Sequence, residues 1–284
     1  MVAQTGMIGK SLKRLLKNCI PPGVMAIRHF FSRSRIRFVG HFASWEAAAG
    51  ASKGYDDSRI LEQVSNALMQ VKSGKAIYER DSVLFDEVHH SFPLLAGLLR
   101  VAVENGGQLT VLDFGGSLGS SYFQCKHFLP DSVALTWCVV EQEKFVQRGR
   151  DAFATDELQF FFSIEECLAQ HRPHVVLFAS VLQYLEKADQ ILDSVVAASI
   201  PYVLIDRTPF IAGQDDWICV QEVPASIYEA SYPCALLSHE RLVRRFSADY
   251  HLIADFEALG GDGYVQTGVR MFQFEYRGMI WRRH

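Results

Sequence analysis

Beyond Gly107 the chain alternates short apolar runs with amphipathic stretches. The runs at 109–113, 135–141, 158–162, 174–179, 201–206, 249–257 and 268–276 predict strands. The stretches near 119–129, 143–152, 164–171, 186–199 and 238–247 predict helices. Runs such as HVVLFA and YVLID are apolar throughout, as parallel strands covered on both faces are. The last two runs are separated by the turn Gly260-Gly261-Asp262-Gly263 and a few residues, so they read as a terminal strand pair. Strand and helix in alternation argue for an α/β domain.

Upstream, from His41 to Gly107, the period is mainly helical. Ser44 can cap a short helix containing Trp45 and Ala47 to Ala49. The turn Gly54-Tyr55-Asp56-Asp57 precedes a helix with Ile60, Leu61, Val64, Leu68 and Val71, ended by Gly74. Another helix carries Leu84, Phe85, Val88, Phe92 and, after Pro93, Leu95, Leu98, Leu99 and Val103. Between them lies the polar cluster Tyr78-Glu79-Arg80-Asp81; His89 and His90 follow within the next helix and read as partly exposed. Phe210 to Ser238 shows no helix or strand period but holds Trp217, Tyr228 and Tyr232. So long a connection predicts an ordered lid, a substrate wall, or packing over the sheet edge.

Composition narrows the class. The 284 residues, 49% hydrophobic and 21% charged, suit a globular protein of one large domain with an appendage. Six scattered cysteines without a C-x-x-C pair point to reduced thiols in a cytoplasmic protein, and away from a zinc site or disulfide frame. The net charge of -4 hides an asymmetry: residues 1–40 hold eight Lys or Arg and no acid, leaving 20 basic against 32 acidic residues elsewhere. In SLKRLLKNCI, Ile8, Leu12, Leu15, Leu16 and Cys19 can share a helical face opposite lysines, until Pro21-Pro22 stops the helix. Such an arm can lie peripherally on an anionic inner-membrane face or remain a poorly ordered tail. Nucleic acid is disfavoured by the acidic remainder and the few interleaved aromatics.

The chemistry concentrates at Leu109 to Phe123, LTVLDFGGSLGSSYF. An apolar run ends on Asp113, glycines 115, 116 and 119 follow at once, and a helical segment comes next. That order describes the first crossover of a doubly wound sheet, where ligands sit at the carboxyl ends of strands. A second run ends on Glu141, an acid placed to accept ribose hydroxyls. Read from Gly115, G-G-S-L-G-S puts serines in place of the second and third glycines of the dinucleotide fingerprint. Asp113 beside the turn would repel a phosphate and suit an ammonium group. S-adenosyl-L-methionine, with an ammonium, a sulfonium and no phosphate, therefore fits better than a dinucleotide or nucleotide-sugar.

VLDFGGSLG resembles the first motif of the class I S-adenosylmethionine-dependent methyltransferases. The likeness covers roughly residues 105–284, with the strand rhythm carrying more of it than any single motif. More narrowly, the chain resembles a little-characterised bacterial family assigned as methyltransferases. The carrying features are FVGHFASWEAA, GYDD, YERDS, DFGGSLGSSYF, DRTPF and VPASIYEASYP. Its members tend to be encoded near surface-polysaccharide genes, which implies a small-molecule or saccharide acceptor. The fold implied is a Rossmann-like, mostly parallel seven-stranded sheet with a terminal antiparallel strand. Residues 1–40 would form the basic arm, 41–107 a helical cap, and 108–284 the cofactor-binding domain.

The resemblance places cofactor contacts at Asp113, Phe114, Gly115, Gly116, Ser117 and Gly119 on the first turn. It adds Glu141 and Gln142 after the second strand, Ser163 after the third and Ser180 after the fourth. Ser163 would meet the adenine amino group or simply cap the next helix. Gln183-Tyr184 stands where some relatives carry histidines, and Tyr184 would face the methyl-transfer site. The absence of [DN]-P-P-[YF] after strand four argues against methylation of DNA bases. At the end of strand five, Asp206 could act as a base and Arg207 as an anchor for an anionic substrate; a structural Asp–Arg pair is the competing reading. The cap would let Tyr55, Arg80 and Asp81 reach a substrate. Other reaction types and a non-catalytic binding role stay open, and the oligomeric state is not written in the sequence.

Overall fold

The structure is a computed structural model that describes residues 36–54, 57–80, 83–85, 88–225 and 229–284, with residues 57–59, 80, 83 and 85 described by backbone alone. The arm through residue 35, Tyr55, Asp81, Tyr228 and the side chain of Arg80 lie outside the described residues.

The chain opens with strand β1 (Arg37–Phe42), helices α1 (Trp45–Ala51) and α2 (Asp57–Lys72), the short strands β2 (Tyr78–Arg80) and β3 (Val83–Phe85), and helix α3 (Phe92–Glu104). Strand–helix alternation follows: β4 (Gln108–Phe114), α4 (Ser120–Lys126), β5 (Ala134–Val140), α5 (Glu143–Ala152), β6 (Leu158–Phe161), α6 (Ile164–Gln170), β7 (Val175–Ala179), α7 (Ala188–Ala197) and β8 (Tyr202–Ile211). The chain closes with β9 (Trp217–Val223), β10 (Ala230–Ser238), α8 (His239–Phe246), β11 (Tyr250–Thr267) and β12 (Arg270–Arg283).

Ten strands form one mixed sheet in the order β10-β9-β1-β11-β12-β8-β7-β4-β5-β6. From β8 to β6 every pairing is parallel, and β12 runs antiparallel to both β8 and β11. All seven strands expected from the apolar runs are present and stand side by side. The sheet is nevertheless wider than the seven strands expected. It gains β1, β9 and β10, and β10 also pairs with the outer half of β8, so six strands close into a barrel.

The missing strands have physical reasons. All ten residues of β8 are buried, so the strand runs on past Asp206 with no alternation to mark it. β9 buries Cys219, Val220 and Gln221 in succession, and β10 contains Pro233, ordinarily a strand breaker. The segment in which no strand period was visible, read as a lid, a substrate wall or packing over the sheet edge, therefore contains two strands of the barrel. Likewise, the helix expected through Leu84 and Phe85 is divided. Val83–Phe85 pairs antiparallel with Tyr78–Arg80, and α3 starts only at Phe92, with Pro93 in its first turn.

Three cores hold this arrangement. On one sheet face Leu109, Val111, Trp137, Leu158, Leu177 and Leu204 pack against Leu68, Leu98 and Val101. On the other, Leu112, Cys138, Val176, Phe178 and Ile205 meet Leu192, Val195, Leu242 and Phe246. The barrel is filled by Phe38, Ile211, Cys219, Cys234, Leu236, Val265 and Phe274. Cysteines 125, 138, 167, 219 and 234 are all buried as free thiols. Among the described residues no helix is long and apolar enough to cross a membrane.

Phe274 is 1% exposed and meets Phe38 edge-on at 4.9 Å between ring centroids. Phe274→Ala should therefore cost about 3–5 kcal/mol in urea unfolding. A loss below about 1 kcal/mol would mean that the barrel interior is not packed as described.

Candidate functional site

Where β4 ends, the backbone turns sharply: Gly115 has φ +69°, Ser117 +55° and Gly119 +95°. A Cβ on Gly115 would run into the Val181 side chain, and one on Gly116 would lie 2.5 Å from Asp113 Oδ2. The turn therefore sits directly on Asp113 and against the segment after β7. Two of its amides are used within the fold: Gly115 N–H donates to Val140 O and Gly119 N–H to Gly116 O, both at 2.9 Å. Left-handed backbone at a serine costs roughly 1–2 kcal/mol. Glu141 offsets part of that cost by accepting the Ser117 backbone N–H. Its Oε2 also accepts Gln142 N–H at 2.6 Å. Burial raises the Glu141 pKa, and these two N–H bonds pull it down.

Asp113 lies beneath this turn and is wholly buried. The Trp137 indole N–H donates to Oδ2 at 3.0 Å, while Oδ1 has no hydrogen-bond donor. Burial pushes its pKa up to about 7, against the pull of the Trp137 bond and the nearby Arg207 charge. Asp206 and Arg207 belong to the same buried layer, at 2% and 8% exposure. The Ser91 hydroxyl donates to Asp206 Oδ1 at 3.3 Å, and Arg207 Nε lies 3.6 Å from Asp206 Oδ2. Arg207 has φ +50°, so β8 carries backbone strain in its middle.

A cleft of about 670 Å³ opens at the carboxyl edge of the parallel strands. Phe114, Gly115, Glu141 and Gln142 form one side, and Phe162, Ser163 and Ile164 extend it. Ser180, Val181 and Tyr184 form the other side, with Trp45 and Tyr232 completing the wall. Of the residues singled out in the sequence, Phe114, Gly115, Glu141, Gln142, Ser163, Ser180, Tyr184 and Tyr232 line this cleft. Asp113, Gly116, Ser117, Gly119, Asp206 and Arg207 are not in its lining. Asp113 is thus a buried support for the turn, where the sequence suggested an exposed ammonium acceptor. Asp206 and Arg207, offered as base and anion anchor, are held behind the cleft wall by burial and their mutual pairing.

Ser163 caps the next helix, its hydroxyl accepting Glu166 N–H at 3.1 Å, and it also lines the cleft. Ser180 has φ +58°, donates its N–H to Asp206 O at 2.9 Å, and accepts the Gln183 side-chain amide at 3.0 Å. His89 and His90 are half-buried and lie outside the lining.

Sequence reasoning missed Trp45, Phe145, Phe162 and Glu165. Phe162 carried a signal, an aromatic immediately beyond a buried parallel strand; it is 46% exposed, with the Arg150 guanidinium 4.5 Å from its ring centroid. Trp45 comes to the cleft only through tertiary packing and carried none. Among the described lining residues the charged side chains are Glu141 and Glu165, with no Lys, Arg or His.

The raised pKa of Asp113 fixes a pH dependence. Its folded value lies above the ordinary 3.8, so the native state keeps a proton that the unfolded chain has lost. That stabilisation is complete below about pH 4 and is lost as pH rises through about 7. Asp113→Asn removes the titration and keeps an acceptor for Trp137. Between pH 4.5 and 8 the variant should gain on the wild type by roughly 2–4 kcal/mol in urea unfolding. Parallel stability curves for the two proteins would contradict the assignment.

No family model matches the chain, and no curated protein matches it. Solved structures do resemble it. An S-adenosylmethionine-dependent methyltransferase from Clostridium acetobutylicum ATCC 824 aligns at 7% identity over 68% of this chain and 92% of its own, with a TM-score of 0.41. The N-terminal domain of EvdMO1, solved with S-adenosylhomocysteine and D-fucose, aligns at 11% identity over 81% and 98%, with a TM-score of 0.42. CalS10, an amino pentose methyltransferase from Micromonospora echinaspora solved with S-adenosylmethionine, aligns at 12% identity over 68% and 91%, with a TM-score of 0.38. Likeness at this level neither assigns a family nor transfers a substrate.

Proposed function

We propose that the cleft binds S-adenosylmethionine and that the protein transfers a methyl group to a small-molecule acceptor. The observation that carries this reading is the lining itself: two carboxylates, no basic side chain among the described residues, and a largely apolar slot beyond Glu141. A pyrophosphate needs cations or unspent backbone N–H groups. Here the Gly115 and Gly119 amides are committed inside the turn, and the Glu141 carboxylate stands beside the Ser117 amide, where it would repel a phosphate. A nucleoside carrying a sulfonium and no phosphate meets none of these obstacles.

The residues divide the work by position. Glu141 would accept ribose hydroxyls, with its carboxylate held in place by the Gln142 amide. Phe162 and Ile164 would flank the adenine and Ser163 its polar edge. Gly115, packed where a Cβ would strike Val181, joins the turn to the segment after β7 at the edge of the cleft that would take the methionine portion. When bound, the cofactor supplies an electrophilic methyl group. The protein's share is alignment and exclusion of water, with Ser180 and Tyr184 on the wall facing that group. Asp113, Asp206 and Arg207 act from behind the wall, Asp113 beneath the turn and the other two within the middle of β8. A saccharide is the acceptor that the family resemblance favours, in surface-polysaccharide metabolism.

Calorimetry with S-adenosylhomocysteine tests the reading. The wild type should bind, and Glu141→Ala should weaken binding by roughly 1–3 kcal/mol, about 5- to 150-fold. An absence of binding by the wild type, or tight binding of NADH, would overturn it.

A further inference from the structure

Tyr184 and Tyr232 come from different parts of the fold, the single helical turn after β7 and the barrel strand β10. Their rings meet edge-on at 5.5 Å between centroids, and both line the cleft. Behind them Gln221 of β9, 4% exposed, ties the pair together. Tyr184 OH donates to Gln221 Oε1 at 3.0 Å, and Gln221 Nε2 donates to Tyr232 OH at 3.2 Å. A buried amide that spends both ends on two tyrosine hydroxyls fixes where those hydroxyls stand. Trp45, Leu185 and Pro233 belong to the same wall. The charged members of the lining, Glu141 and Glu165, sit after β5 and in α6, on the nucleoside side.

We propose that this mouth of the barrel is the acceptor subsite, that it takes a neutral ring bearing a hydroxyl, and that Gln221 is the positioning residue that sets its specificity. The inference rests on the methyl-transfer reading above. Aromatic faces and edges give a ring apolar contact, the tethered hydroxyls can hydrogen-bond a hydroxyl, and an anionic acceptor would find no cation among the described residues of this wall. On transfer, a bond forms from the acceptor oxygen to the methyl carbon. The carbon–sulfur bond breaks with its electron pair left on sulfur, and the hydroxyl proton passes to solvent water.

Saturation-transfer NMR tests the subsite on protein loaded with S-adenosylhomocysteine, using methyl β-D-glucopyranoside, 4-methoxyphenol and phenyl phosphate as probes. One of the two neutral probes should show contact, and which one does so separates a sugar from a phenol. In Gln221→Leu that signal should fall by about fivefold, the loss of one net hydrogen bond. Affinity for S-adenosylhomocysteine should meanwhile stay within about twofold, which general unfolding would not allow. If Gln221→Leu does not fold, Tyr232→Phe carries the same comparison. Contact by phenyl phosphate alone, no contact by either neutral probe, or a neutral signal unchanged in both variants would overturn the proposal. Should S-adenosylhomocysteine itself fail to bind, the cofactor reading falls, and the same probes on the unloaded protein still decide the subsite.

Discussion

The Trp137 indole donates to Asp113 across two adjacent parallel strands, and the backbone of Gly116 closes over the same carboxyl group. With one donor and complete burial, that carboxyl favours its protonated form, which is cheaper to bury than a carboxylate. The consequence is geometric. Because Gly116 can lie on the carboxyl, Gly115 can press against Val181, and the first turn and the segment after β7 become adjoining walls of one cleft. Glu141 then reaches back to the turn through the Ser117 amide, so the strained serine and the cleft's principal acid hold each other. A side chain at Gly115 or Gly116 would disturb all of these contacts together.

The barrel gives the other half of the cleft its shape. By running on to Ile211, β8 belongs to both the parallel half and the barrel, and β10 returns alongside its outer end. Tyr232 and Gln221 are thereby brought level with Tyr184, although about forty residues of chain separate Tyr184 from the strands they occupy.

Much of this was legible in the sequence, for reasons that particular residues show. The parallel strands were visible because their apolar runs are short, uniform and separated by amphipathic helices. Glu141 was visible because it ends such a run, and Ser163 because it combines a strand end with a helix cap. What escaped depended on context. β9 and β10 are covered on both faces and carry Gln221 and Pro233, so neither period nor propensity marks them. Leu84 and Phe85 fitted a helical spacing by coincidence and lie in a hairpin instead. For Asp113 a strand end told where the carboxylate stands, while burial decides whether it faces ligand or core; Asp206, expected at a strand end, lies buried in the middle of β8. Trp45 needed the fold to bring it to the site.

A crystal structure of the protein grown with S-adenosylhomocysteine tests the central claim most directly. The account predicts ligand density between Glu141 and Ser180, with the ribose hydroxyls within hydrogen-bonding distance of the Glu141 carboxylate and the adenine against Phe162. Density at another site, or an empty cleft at saturating ligand, would contradict it.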